Sequence, residues 1–282
     1  MGQPSQPPRW RHPGFLLLYA LGATIVAGVL AVGLGHLIPS HRGGGYAMVT
    51  AIGVAAIFVV MFVLFRRYVE GEPARELAPR PALVELPAGI LIGLVLFSII
   101  VAVIATFGGY RVIGYRGAEV MIPALAIAIY SGFTEEIVFR GLFFRLTEKW
   151  LGTRWALVLS AALFGALHLG NPNATLLAGV AIMLEAGIML AAIYMLTRRL
   201  WMAIGLHGAW NFAQGGVYGI PVSGGAMDGV LRPDIRGSDL LTGGAFGAEA
   251  SLPAIVVATA FGLALLYVAW RRGCFVGFYR RS

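Results

Sequence analysis

The sequence predicts an all-α, polytopic membrane helix bundle, and three observations carry that prediction. Of the 282 residues, 59% are hydrophobic and only 12% are charged, with a mean hydropathy of +0.81; a soluble domain carries about 25% charged residues. Apolar runs long enough to cross the roughly 30 Å of bilayer hydrocarbon recur along the chain. The basic residues fall in short clusters between those runs rather than on one face. A net charge of +8 therefore does not point to a nucleic-acid partner.

Residues 1–14 are polar and Pro-rich, with Arg9, Arg11 and His12, and read as a cytoplasmic tail. The first apolar run, 15–38, is longer than the core of a signal peptide and has no small-x-small cleavage site, so it reads as a retained span. Further runs at 46–65, 82–107, 118–139, 155–170, 174–197, 200–215 and 252–270 bring the expected count to eight transmembrane helices. With both termini in the cytoplasm, only Arg42, Arg111, Arg116, Arg232 and Arg236 of the 21 basic residues fall on outer segments, as the positive-inside rule requires. The expectation is one membrane domain over 1–282, with catalytic core helices at 118–212 and a cytoplasmic tail at 271–282.

Two segments read as non-spanning. Residues 143–149 continue a helix out of the bilayer, with Arg145, Thr147, Glu148 and Lys149 on a wet side. Residues 214–251 form a Gly-rich external loop; loops of this length are functional or disordered, and this one reads as an ordered lid. No internal repeat is visible, which disfavours an inverted-repeat transporter. One cysteine, Cys274, excludes an intrachain disulfide and reads as a tail residue. Arginine outnumbers lysine twenty to one, which hints at a bacterial source and hence a plasma-membrane location.

The chemistry concentrates in the stretch 131–140, S-G-F-T-E-E-I-V-F-R, where two adjacent glutamates interrupt an apolar region. A mid-bilayer charge costs about 2.5–3.5 kcal/mol, so the pair calls for a reason. Glu136 and Arg140, four apart, stand one above the other on a helix and can neutralise each other. Glu135 points about 100° away and reads as the free carboxylate. Two more pairs repeat the spacing: Phe164 with His168, and His207 with Asn211. Glu136 and His168 each lie 16 residues from the turn at Gly152, which puts them level. His207, 8 residues beyond Arg199, is about 12 Å in, which matches if the hairpin tip projects about 10 Å below the hydrocarbon.

A free glutamate with two histidines allows two chemistries. His168 and His207 could hold Zn2+. Without a metal, Glu135 and His168 would activate a water while His207 and Asn211 stabilise an oxyanion. No H-E-x-x-H helix is present and the histidines come from separate helices, which favours the metal-free route. No Gly-x-Ser-x-Gly elbow occurs, and Cys274 is remote, so a nucleophile triad is disfavoured. Glu185, in mid-helix, reads either as a packing carboxyl or as a group orienting one of the histidines. Trp210 and Phe139 read as packing residues.

E-E-x-x-x-R, F-x-x-x-H and H-x-x-x-N, in that order over 131–212, resemble the CPBP intramembrane protease family, which includes type II CAAX prenyl endopeptidases and bacteriocin-immunity-like proteins. The resemblance implies Glu135 as catalytic base, His168, His207 and Asn211 as further catalytic residues, and Glu136–Arg140 as the family's ion pair. It implies an endopeptidase acting on a membrane-associated peptide or protein in the lipid bilayer. The rival reading is a non-enzymatic immunity- or chaperone-like membrane protein that uses the same polar cluster structurally.

Overall fold

The computed structural model describes residues 9–38 and 43–278. Of the sequence expectations, those on residues 1–8, on the outer Arg42 and on the inner Arg280 and Arg281 lie outside them. All eight expected segments are helical. In order the chain forms α1 (Pro13–Leu37), α2 (Gly44–Leu64) prolonged by a π turn (Phe65–Glu70), and α3 (Pro79–Thr106). Next, α4 (Met121–Glu136) runs through a π segment (Ile137–Phe144) into α5 (Arg145–Leu151), followed by α6 (Thr153–His168). Then α7 (Leu176–Ile182) passes through a π segment (Met183–Gly187) into α8 (Ile188–Thr197), and α9 (Trp201–Phe212) ends in another (Ala213–Val217). A single turn, α10 (Asp239–Thr242), precedes α11 (Leu252–Arg271).

Six of the described helices are long and apolar enough to cross a membrane: Pro13–Leu37, Gly44–Glu70, Pro79–Thr106, Ala118–Leu151, Leu176–Thr197 and Leu252–Arg271. The count of eight is not reached by length. Helix α6 has 16 residues, about 24 Å, and α9 has 12 followed by five in π geometry, against roughly 30 Å of hydrocarbon. These two short helices carry the two histidines.

Helix α9 sits at the centre, packed between α3 and α4, and every residue from Ala203 to Trp210 is buried. Glycine permits that approach: a Cβ on Gly89 of α3 would overlap the Met202 carbonyl, and one on Gly205 would overlap the Leu86 carbonyl. Without a hydrophobic drive between helices in lipid, such small-residue contacts are what let backbones close together. The α7–α8 rod is 61% buried in its most apolar window and α1 only 17%, which sets α7–α8 inside and α1 at the rim.

Two features depart from the sequence reading. A two-stranded antiparallel ribbon, β1 (Tyr110–Tyr115) with β2 (Leu231–Ile235), joins the 214–251 segment to the end of α3, with Arg111 opposite Asp234 and a bulge at Val112/Gly114. The bundle stays all-α in architecture; the Gly-rich segment is ordered, and the strand in it is what the sequence reading lacked. Tyr110 donates to the Tyr218 carbonyl (2.9 Å) and Tyr218 to Ser98 (2.8 Å), which fastens it to α3. The strand escapes notice because it is five residues long and contains Pro233, a residue strands accept only at edges.

The second departure is the side of α5 expected to be wet. Arg145, Thr147 and Glu148 are buried, and only Lys149 of the four is exposed. Glu70 accepts from Arg66 (2.7 Å), Arg145 (2.8 Å) and Lys149 (3.0 Å). Glu148 pairs with Arg198 and accepts from Thr153 (2.7 Å), and Arg199 pairs with Glu85. Buried charge must be paired, and here the partners come from distant positions that spacing along one helix does not reveal. Together these pairs form an ion-paired seam across the ends of α2, α5 and α8.

Candidate active site

The site grows from the last turn of α4. Glu136 is wholly buried, and its Oε1 accepts from Arg140 Nη1 (2.9 Å) and from His207 Nδ1 (2.8 Å). Arg140 also donates through Nη2 to the Ala186 carbonyl (2.7 Å), inside the π segment between α7 and α8. Its guanidinium lies 4.7 Å over the Phe164 ring of α6. One ion pair thus ties together α4, α6, α7–α8 and α9. The pair was legible from its spacing; its third member, His207, was not.

Glu135 points away from the pair, makes no hydrogen bond, and keeps 27% of its side chain exposed. Its Oε2 lies 3.9 Å from His207 Nε2. The imidazole is held from behind by Glu136 and turns its other nitrogen toward the free carboxylate. His168, the last residue of α6, donates from Nδ1 to the Phe164 carbonyl (2.7 Å), which leaves Nε2 available. Phe164 separates the imidazoles, its centroid 4.7 Å from His168 and 6.2 Å from His207.

Asn211, one turn beyond His207, donates from Nδ2 to Ser131 Oγ (2.8 Å), and Ser131 donates to the Ile127 carbonyl (2.9 Å). Ser131 was not singled out from sequence. The signal was its place one turn before Glu135, on the same helix face. Phe139 and Trp210 pack as expected: Phe139 meets Phe164 edge-on, and the Trp210 indole donates to Gln214 (3.1 Å).

His168, His207 and Asn211 line one cavity of about 30 Å³, together with Glu185, Ser223 and Glu249. That is room for about two water molecules. Glu135 is not on the cavity wall and flanks His207 instead. Glu185 makes no hydrogen bond to either histidine and its Oε1 is unpartnered, so the orienting role considered for it falls to Glu136 for His207 and to a backbone carbonyl for His168. Ser223 and Glu249 come from the 214–251 segment and were not read as site residues. Their signal was an acid at position 249 set between two alanines at the foot of an apolar helix. Glu249 accepts from Ser223 N–H and Oγ–H, yet burial lifts its carboxyl to about 7.

Zinc on His168 and His207 needs further ligands. Among the described residues no three His, Cys, Asp or Glu side chains come together as a metal site. Both Nδ1 atoms are already engaged. The donor set present does not fit the four-coordinate site zinc takes.

Two histidines and an amide line a small cavity inside an apolar bundle, and a free carboxylate stands beside one of the histidines. Residues 117–213, roughly a third of the chain, match the family described as Rce1-like, type II CAAX prenyl endopeptidase. The match supports membership of the CPBP intramembrane protease family over that stretch, and the six long apolar helices support a multi-pass membrane protein. No curated protein and no solved structure matches it.

Proposed function

We propose that the protein hydrolyses peptide bonds of membrane-associated substrates with a water activated by Glu135 and His168, while His207 and Asn211 hold the developing oxyanion. The observation that carries this reading is the clamp on His207: Glu136 on Nδ1 at 2.8 Å and Glu135 at 3.9 Å from Nε2. With Nδ1–H committed to Glu136, Nε2 is the atom left to face a reacting group, and a protonated imidazole presents an N–H there. Asn211, fixed through one amide hydrogen to Ser131, has a second to offer. His168, its Nδ1–H on a carbonyl, has its Nε2 lone pair free to take a proton from water. No step requires a metal. We place the protein in the plasma membrane of a bacterium, with both termini cytoplasmic.

The test compares purified wild type with Glu135→Gln on a library of membrane-inserted peptides. Cleavage by the wild type and none by a normally folded Glu135→Gln is the expected result. No cleavage by either would leave the polar cluster as structural glue and favour the immunity- or chaperone-like alternative.

A further inference from the structure

One wall of the cavity is unexplained by that mechanism. Glu185, from the π segment between α7 and α8, is 1% exposed, and Glu249, at the foot of α11, is 2% exposed. Both line the cavity that His168 and His207 also line. Each keeps a fully buried carboxyl oxygen without a partner, Oε1 of Glu185 and Oε2 of Glu249. Every other buried acid among the described residues has a basic side chain paired with it: Glu70, Glu76, Glu85, Glu136 and Glu148. Buried carboxyls left bare are unfavourable unless a proton or a cation compensates them. The protein supplies Ser223 to one oxygen of Glu249 and nothing to Glu185.

The segment that brings Glu249 is fixed for this placement. Ser223 holds a positive φ of 46°, a conformation that a residue with a side chain adopts rarely. Asn173, in the turn after α6, donates to the Gly224 carbonyl (3.1 Å), and Gly224 N–H bonds Phe246 (2.7 Å). Local strain of this sort persists where surrounding structure demands it. Here it sets Ser223 N–H and Oγ on Glu249, and both residues line the cavity.

The void is small. About 30 Å³ holds two water-sized groups and excludes a guanidinium or a quaternary ammonium. A primary ammonium is water-sized, cationic and a triple donor, which is what two buried carboxyls with spare acceptor oxygens lack. Peptide hydrolysis makes one. The hydroxyl of water adds to the acyl carbon, the C–N bond breaks with its electron pair going to nitrogen, and the remaining proton of the water follows it there. The acid so formed then gives its own proton to the amine, leaving a carboxylate and an ammonium. We propose that Glu185 and Glu249 form an ammonium-accepting subsite that holds the new amino terminus of the cleaved chain. This rests on the proteolytic reading above for the source of the amine, but not for its binding. The carboxyl of Glu249, lifted to about 7 by burial, is poised to ionise when a cation arrives.

The probe is methylammonium, with tetramethylammonium as the oversized control, both added to the full-length protein in detergent at constant ionic strength. Thermal unfolding is the readout, so no substrate is needed. Saturable stabilisation by methylammonium alone is expected, with apparent affinity about tenfold weaker in Glu185→Gln and in Glu249→Gln, the loss of one charge-assisted hydrogen bond each. Either variant decides if the other does not fold. No stabilisation of the wild type, equal stabilisation by tetramethylammonium, or unchanged affinity in both variants would overturn the subsite. A protein that binds methylammonium in this way but cleaves nothing would keep the subsite and sink the proteolytic reading; cleavage without ammonium binding would do the reverse.

Discussion

Replacing Glu136 by Gln removes a buried charge on which two other buried groups depend. Arg140, 1% exposed, keeps only the Ala186 and Gly187 carbonyls as acceptors, and His207 loses the carboxylate on Nδ1. Breaking one partner of a buried ion pair costs about 3–5 kcal/mol, because the other charge is left uncompensated. The amide oxygen of Gln can still accept one hydrogen bond, so the lower half of that range applies. At roughly 2–4 °C per kcal/mol for a chain of this size, the unfolding midpoint should fall by about 10 °C. Replacing Glu135 by Gln should move it far less, since Glu135 makes no hydrogen bond and is 27% exposed. The assay is thermal unfolding of both variants in one detergent, alongside peptide cleavage. Glu136→Gln should lose stability and activity together, and Glu135→Gln activity alone. An equal loss of stability in the two variants would refute the division of labour between the adjacent acids.

Four further outcomes follow from the same geometry. Asn211→Ala should lower kcat by about 10²–10³, as loss of an oxyanion donor does; Ser131→Ala should lower it by about tenfold with little change in KM, and an unchanged kcat would show that Ser131 does not position Asn211. Glu249 carries a carboxyl raised from 4.5 to about 7, so the folded state holds a proton between those values that the unfolded chain has released. Stability should then fall as pH rises from about 5 to 8, by up to about 3 kcal/mol; the decisive measurement is the flatter profile of Glu249→Gln. Protein purified under metal-controlled conditions should retain activity with less than stoichiometric zinc, and stoichiometric zinc lost in a His168→Ala, His207→Ala double variant would replace the metal-free reading. Cys274, the single thiol, should react with a membrane-impermeant reagent from the cytoplasmic face only.

Sequence alone determined whatever rests on local geometry and on bulk transfer. Apolar runs gave the membrane bundle, because length and hydropathy are properties of one segment. Four-residue spacing gave the Glu136–Arg140 pair, since a helix turn fixes which side chains meet within one element. The same rule picked out His168, His207 and Asn211, all of which reach one cavity. Tertiary structure decided what depends on partners from distant positions. That His207 leans on Glu136 across 71 residues follows from the glycine contacts that draw α9 against α3 and α4. Glu249 joins the cavity because the ribbon β1–β2 and the Ser223 turn fold a Gly-rich segment back over α6, and no periodicity records that path. Arg145 and Glu148 of α5 look wet in sequence and are buried in fact, because Glu70 and Arg198, which neutralise them, are supplied by other elements. Burial of a charge is settled by what stands opposite it, and in this bundle the opposite group is mostly a long way off along the chain.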